Sequence, residues 1–181
     1  MLILASASPR RHELLLAAGL DHSVQPTLLP EDRGPGESPV RFVQRLAEQK
    51  ARAAVRHADD IVLAADTVVC VEDEVFGKPA SDEDARRMLR LLSGRDHWVH
   101  TGICVLSPAA CIVDLASTRV SFLPLNEEEI DEYIRTGEPR DKAGAYAIQG
   151  RASKFVSRIE GSYHNVVGLP VSLVYTHLKA L

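Results

Sequence analysis

Apolar residues fall along this chain in two rhythms. Short, near-continuous apolar runs at about 1–5, 60–71, 97–106 and 111–123 predict strands. Amphipathic stretches at about 9–19, 38–57, 81–92, 126–136 and 170–180 predict helices. Several helices carry their own punctuation. Ser8-Pro9 offers an N-cap followed by proline at the first helical position, and Gly19 a stop. Ser81 to Asp84 resembles a capping box with Asp in place of Glu, and Asn126 to Glu129 fits one outright. Gly168-Leu169-Pro170 opens the last helix. The turn-rich link Ser107-Pro108-Ala109-Ala110 predicts a hairpin between the last two strands. The most loop-like stretch, Pro30 to Pro39, is too short for a domain linker, and no repeat or low-complexity tract occurs. Strands and helices intermix, which predicts one α/β or α+β domain over residues 1–181 around a mixed sheet.

Composition narrows this picture only slightly. With 181 residues, 45% hydrophobic and 25% charged, the chain is ordinary for a globular protein. The formal net charge of −4 counts against general nucleic-acid binding, whereas a small anionic substrate needs only a local basic pocket. No apolar run approaches the ~20 residues of a membrane helix. The opening Met1-Leu2-Ile3-Leu4-Ala5 lacks a basic segment and reads as a buried strand rather than a signal peptide. The cysteines, Cys70, Cys104 and Cys111, form no CxxC pair and are expected to be buried, idle thiols in a reducing cytoplasm.

Four segments hold residue types that packing alone does not ask for. In Ala5-Ser6-Ala7-Ser8-Pro9-Arg10-Arg11 an apolar strand runs into hydroxyls and two arginines at the mouth of a helix. Unpaired N–H groups and guanidinium donors there suit a phosphate, although a capped helix with two solvated arginines has the same pattern. Asp66 interrupts Ile61-Val62-Leu63-Ala64-Ala65, a strand apolar on both faces. A carboxylate so placed is paired, metal-bound or at a site mouth, and serves either as a general base or metal ligand or as a buried cap; Thr67 adds a hydroxyl beside it. In Phe76-Gly77-Lys78-Pro79, after the acidic turn Glu72-Asp73-Glu74, Lys78 lies about a strand's length from Asp66. Lys50 sits between Glu48 and Arg52 and reads as part of a solvated helix face. Finally, Gly137 to Gly150 and Ile159 to Pro170 are dense in small residues with Lys, Tyr, Gln, His and Asn interspersed. Glycine-rich backbone approaches a flat ligand closely, and Gln149 can read a base edge with its amide; His164 reads equally well as a loop histidine.

Together the motifs SASPRRHELL, AADTVV, GKP, LSGRDHWVHTG, DKAGAYAIQG and GSYHNVVGLP resemble the Maf family of nucleotide pyrophosphatases over nearly the full chain. The resemblance implies a single elongated α/β domain with a central mixed β-sheet flanked by helices and a deep cleft, similar to the inosine triphosphate pyrophosphatases. It implies Asp66 as proton acceptor, with Arg11, Lys50 and Lys78 as catalytic cations and Ser8, Arg11, Thr67 and Gln149 as substrate contacts. It implies a divalent cation, Mg²⁺ or Mn²⁺, with Glu31 and Asp66 as its carboxylates, and a homodimer in the cytoplasm bound to neither nucleic acid nor membrane. Thr67 and the loop Gly144 to Gly150 match the branch that acts on dTTP and UTP; the 7-methyl-GTP branch carries Gln after the Asp. The expected reaction is attack of water on the α-phosphorus with loss of pyrophosphate. A non-catalytic nucleotide-sensing or septum-inhibiting protein is the alternative, and an aspartate set in an apolar strand argues for the enzyme.

Overall fold

A computed structural model describes residues 1–72 and 74–181. The long apolar run becomes β3 (Ile61–Val71), and the shorter first run becomes β1 (Leu2–Leu4). The other strands are β2 (His22–Val24), β4 (Glu74–Phe76), β5 (Asp96–Leu106), β6 (Cys111–Phe122) and β7 (Val156–Glu160). They hydrogen-bond in the order β2-β1-β3-β5-β6-β7, with β4 also on β3. β1 is parallel to β2 and β3, while β4 is antiparallel to β3 and β7 to β6, so the sheet is mixed as expected. The predicted link between β5 and β6 is a turn in which Ser107 N–H donates to the Ala110 carbonyl at 2.8 Å.

The helices are α1 (Pro9–Ala17), α2 (Pro39–Ala54), α3 (Asp82–Leu92), α4 (Glu127–Arg135), α5 (Tyr163–Val167) and α6 (Val171–Lys179). Asn126 and Glu129 close the predicted capping box of α4 in both directions. At α3 only half of it forms. Ser81 accepts from Asp84 N–H, and the Asp84 carboxylate reaches Ala80 N–H instead of the cap residue. α2 ends earlier than predicted because Val55 is extended and the Asp60 carboxylate takes the N–H groups of Arg56 and His57, both at 2.8 Å.

Two compact units share the chain. The first comprises Met1–Asp66, Thr101–Ala116 and Gly168–Leu181. Here successive strand residues face opposite ways. Ile3, Ala5, Val62, Ala64 and Cys104 pack against Ala47, Ala51 and Ala54 of α2, while Leu4, Leu63, Ala65, Ile103 and Val105 pack against Leu15 of α1 and Val174 of α6. The stretch is apolar throughout because both its faces are covered by helices.

The second unit comprises Thr67–His100 and Ser117–Val167. Its core contains an aromatic cluster: His97, Phe122 and Tyr146 meet edge to face, and Tyr133 stands perpendicular to Phe155. α3 and α4 are tied at their surfaces by Arg90 with Glu127 and by Arg86 with Asp131.

β2, β7 and α5 were not expected. β2 is three residues long and includes His22 and Ser23, and β7 mixes Val156 and Ile159 with Ser157, Arg158 and Glu160, so neither shows an apolar run. Asp73, in the predicted acidic turn, lies outside the described residues; its neighbours Val71 and Glu74 do pair across that hairpin. Cys111 departs from the expectation of buried thiols: it is exposed, and the β5–β6 turn brings its Sγ within 3.8 Å of Cys104.

The packing of α2 on the sheet depends on Gly102. A Cβ there would lie 2.5 Å from the backbone carbon and oxygen of Val43, which no side-chain rotation can relieve. Gly102→Ala should therefore lower stability by about 1–3 kcal/mol, the usual cost of overpacking. Urea unfolding reads this directly, and an unchanged midpoint would show that α2 can ride further from the strand without loss.

Candidate functional site

Strand alternation places the aspartate. Val62 and Ala64 face α2, so Asp66, two residues on, faces α2 as well. The helix answers with Lys50. Its Nζ donates to Asp66 Oδ1 at 2.7 Å and lies 2.6 Å from Glu31 Oε1. Asp66 and Lys50 are each only 7% exposed, whereas Glu31 is exposed. The solvated-face reading of Lys50 was thus incorrect. The buried stripe of α2 runs through Val43, Leu46, Ala47, Lys50, Ala51 and Ala54, at the i, i+3, i+4 spacing of a helix face, and Lys50 belongs to it. Glu48 and Arg52 pair with each other at i, i+4 on the outside.

On the other face of the strand, α1 contributes Arg11. It is buried, and its Nε donates to the Gly168 carbonyl at 2.8 Å. Its Nη1 donates to the Ala65 carbonyl at 2.7 Å and to Ser6 Oγ at 3.1 Å. One guanidinium thereby fixes the end of β1, the middle of β3 and the approach to α6. Ser6 also accepts from Ser8 N–H at 3.2 Å, a role its place in the motif did not disclose. Ser8 holds the predicted N-cap position, but its side chain makes no capping hydrogen bond. Its hydroxyl therefore remains at the helix mouth, among N–H groups that favour an anion.

These contacts set the electrostatics. Burial raises the Asp66 carboxyl above its ordinary range, outweighing the opposite pull of Lys50 and then of Arg11. Burial likewise pulls Arg11 below its usual value, partly offset by Asp66, yet an arginine remains charged. A carboxylate kept basic beside two fixed cations is suited to accepting a proton near a bound polyanion.

Thr67, Lys78 and Gln149 belong to the second unit. Thr67 follows Asp66 in β3 and is half-buried; Lys78 and Gln149 are exposed. The Gly77-Lys78 segment meets the glycine-rich loop there, since Gly144 N–H donates to the Gly77 carbonyl at 3.0 Å. Gly144 has φ +69°, and a Cβ would sit 2.8 Å from the Val69 side chain, so this position takes only glycine. Ala145, with φ +59°, is also left-handed, at a cost of about 1–2 kcal/mol for a non-glycine residue. Next to it the Tyr146 hydroxyl meets His97 Nε2 at 2.8 Å. Burial holds His97 down to about 4, hence neutral. His164 is exposed.

Among the described residues no group of three or more His, Cys, Asp or Glu side chains converges on a metal position. Glu31 and Asp66 both approach the Lys50 ammonium, and their oxygens are hard donors of the type that an ion of the magnesium class takes alongside water and phosphate.

The family model described as Maf-like protein matches residues 1–181. The chain is 51% identical over 179 residues to the dTTP/UTP pyrophosphatase of Koribacter versatilis (strain Ellin345), covering 98% of this chain and 93% of that protein. It is 50% identical over 181 residues to the dTTP/UTP pyrophosphatase of Geobacillus sp. (strain WCH70), covering 99% and 97%. Among solved structures it is similar to the Staphylococcus aureus Ham1 protein, with TM-score 0.58 and 15% identity, and to a HAM1 protein from Coxiella burnetii, with TM-score 0.53 and 16% identity. Each alignment covers 99% of this chain and 98% of the other. At that identity the likeness is one of fold.

The buried ion pair can be tested without any substrate. In Lys50→Met, Asp66 stays buried but loses its ammonium, so its folded value moves further above the unfolded value of about 3.9. Its contribution to stability is then complete below the unfolded value and lost as pH rises toward the folded one, by up to about 1.4 kcal/mol per pH unit. Urea unfolding from about pH 4 to about pH 8 should show the variant falling progressively behind the wild type. A gap that stays constant across that range would contradict the pairing.

Proposed function

This chain belongs to the family of Maf-like proteins, and from that premise we propose that it hydrolyses dTTP and UTP to the monophosphate and pyrophosphate. It is a nucleoside triphosphate pyrophosphatase, a hydrolase of phosphorus-containing anhydrides. The observation that carries the catalytic reading is Asp66: a carboxylate set into a fully covered strand, raised by burial and held by Lys50.

Water attacks the α-phosphorus, pyrophosphate leaves, and the water's proton passes to Asp66. Lys50 orients the carboxylate and, with Arg11, supplies positive potential that favours the polyanionic substrate. The mouth of α1 and the Ser8 hydroxyl hold phosphate oxygens, and Lys78 contributes a further charge. Glu31 and Asp66 would hold a Mg²⁺ or Mn²⁺ ion, which when bound neutralises phosphate charge during the displacement. Thr67 and Gln149 select the base: an amide offers one donor and one acceptor to a uracil or thymine edge. We further propose that residues 1–181 act as one catalytic domain, in a homodimer in the cytoplasm, as the family resemblance implies.

Asp66→Asn should keep the fold and retain less than about a tenth of wild-type turnover, because the amide preserves shape and loses basicity. Pyrophosphate release by purified variant and wild type measures this; a folded variant above that level would remove Asp66 from the role of base. In the wild type, kcat/KM should fall with acidification, since the carboxyl must be deprotonated to accept the proton.

Substrate choice is read from kcat/KM for dTTP, UTP, CTP and 7-methyl-GTP under one metal. The first two should be turned over well and the last two poorly, because an amide fixed for the O4/N3 edge leaves cytosine's groups unpaired and a pocket sized for one ring excludes a methylated purine. Preference for 7-methyl-GTP would overturn the assignment of base while leaving the hydrolase reading intact.

A further inference from the structure

We propose that Tyr133 and Glu138 are positioning residues that set base selectivity by clamping both ends of the turn that presents Gln149. The inference rests on the reading of Gln149 given above and extends it to residues that lie beneath the loop.

The turn itself is short. Gly150 N–H donates to the Ala147 carbonyl at 3.0 Å, which leaves Ile148 and Gln149 at its two central positions. Ile148 is buried and Gln149 is exposed, so the apolar neighbour anchors the turn while the amide stands at its tip. A glutamine at such a tip has several rotatable bonds, and its reading of a base edge is only as definite as the backbone that carries it.

That backbone is held from below at both ends. Ala147 N–H, entering the turn, donates to the Tyr133 hydroxyl at 3.0 Å. The hydroxyl in turn donates to Glu138 Oε1 at 2.8 Å. The other carboxylate oxygen, Oε2, accepts from Arg151 N–H at 3.2 Å, where the chain leaves the turn. One phenol and one carboxylate therefore span residues 147 to 151. The fit is close: a Cβ on Gly150 would lie 2.3 Å from Glu138 Oε1, so a larger residue there would push this carboxylate out of its place. Tyr133 is buried, and its ring stands perpendicular to Phe155 at 5.5 Å, which fixes the hydroxyl's direction. Burial and the neighbouring carboxylate both raise the phenol above its ordinary value, so it remains a donor throughout the physiological range.

The clamp should act through Gln149 and through nothing else in the reaction. Tyr133→Phe keeps the ring and its packing while removing both hydrogen bonds. Three variants, Tyr133→Phe, Gln149→Ala and the double variant, are compared for kcat and KM on UTP and CTP, with thermal unfolding of each. Tyr133→Phe should lower the UTP-over-CTP ratio of kcat/KM about three- to tenfold, the weight of one neutral hydrogen bond, mainly through a higher KM for UTP. In the Gln149→Ala background the same substitution should leave the ratio unchanged, as expected when one residue acts through the other. A Tyr133→Phe effect of equal size in both backgrounds, or none in the wild type while Gln149→Ala has one, overturns the proposal and leaves Gln149 as the reader of the base. If Gln149→Ala itself leaves the ratio unchanged, the reading of Gln149 fails and the clamp's role falls with it. Should Tyr133→Phe not fold, Glu138→Gln takes its place with the same expected outcomes, because the amide cannot accept at both Tyr133 and Arg151.

Discussion

A carboxylate cannot be enclosed in a covered sheet without a partner, and the first unit is arranged around supplying one to Asp66. Where the sheet meets α2, Ala5, Ala64 and Cys104 beside Ile3 and Val62 face Ala47, Ala51 and Ala54 of the helix, and these small side chains let the helix lie close to the strands. Gly102 allows its backbone to come closer still. With larger residues at these positions, Lys50 would stand too far from β3 to reach the aspartate. The small-residue pattern therefore serves the ion pair as well as the packing.

The pair is not arranged for greatest stability. Two ions of this size buried together rarely exceed hydrophobic packing in net free energy. Here, moreover, the carboxyl remains raised despite Lys50 and Arg11. A site selected for stability alone would hold this carboxylate well below its usual value with more hydrogen-bond donors. Leaving it basic is costly to the fold and useful to proton transfer, which is the balance expected of a catalytic acid–base group. Arg11 shows a related economy. By donating to the carbonyls of Ala65 and Gly168, it braces the backbone directly before Asp66 while keeping a fixed positive charge nearby.

Much of this could be read in the chain, and the failures have physical reasons. β3 and Asp66 were visible because a charge within an apolar run contradicts burial on both faces. Five helices, α1 to α4 and α6, were visible through periodicity and caps. Lys50 was misread because its sequence neighbours Glu48 and Arg52 are charged, whereas on a helix the relevant neighbours are Val43, Leu46, Ala47 and Ala54. β2 and β7 were hidden because sheet pairing, not their own composition, makes them strands. The contacts of Arg11 with Gly168, of His97 with Tyr146 and of Tyr133 with Ala147 belong to pairings across the fold. None leaves a local sequence signal.

The loop after Gly144 shows why a short motif can be specific without any one of its residues being so. Gly144 is required by Val69 and by its own left-handed backbone, Ala145 beside it is left-handed too, and Gly150 lies against Glu138. Tyr146 meets a histidine that burial keeps neutral, so the contact persists as an uncharged hydrogen bond across the working pH range. Each of these residues answers to a different partner, on β3, on β5 or beside α4, and only their conjunction fixes the path of the backbone. Strain at Ala145 persists because the surrounding contacts over-determine that path. Exposed Gln149 is thus the visible end of a buried assembly, and the spacing from Gly144 to Gly150 is set by the positions of those partners.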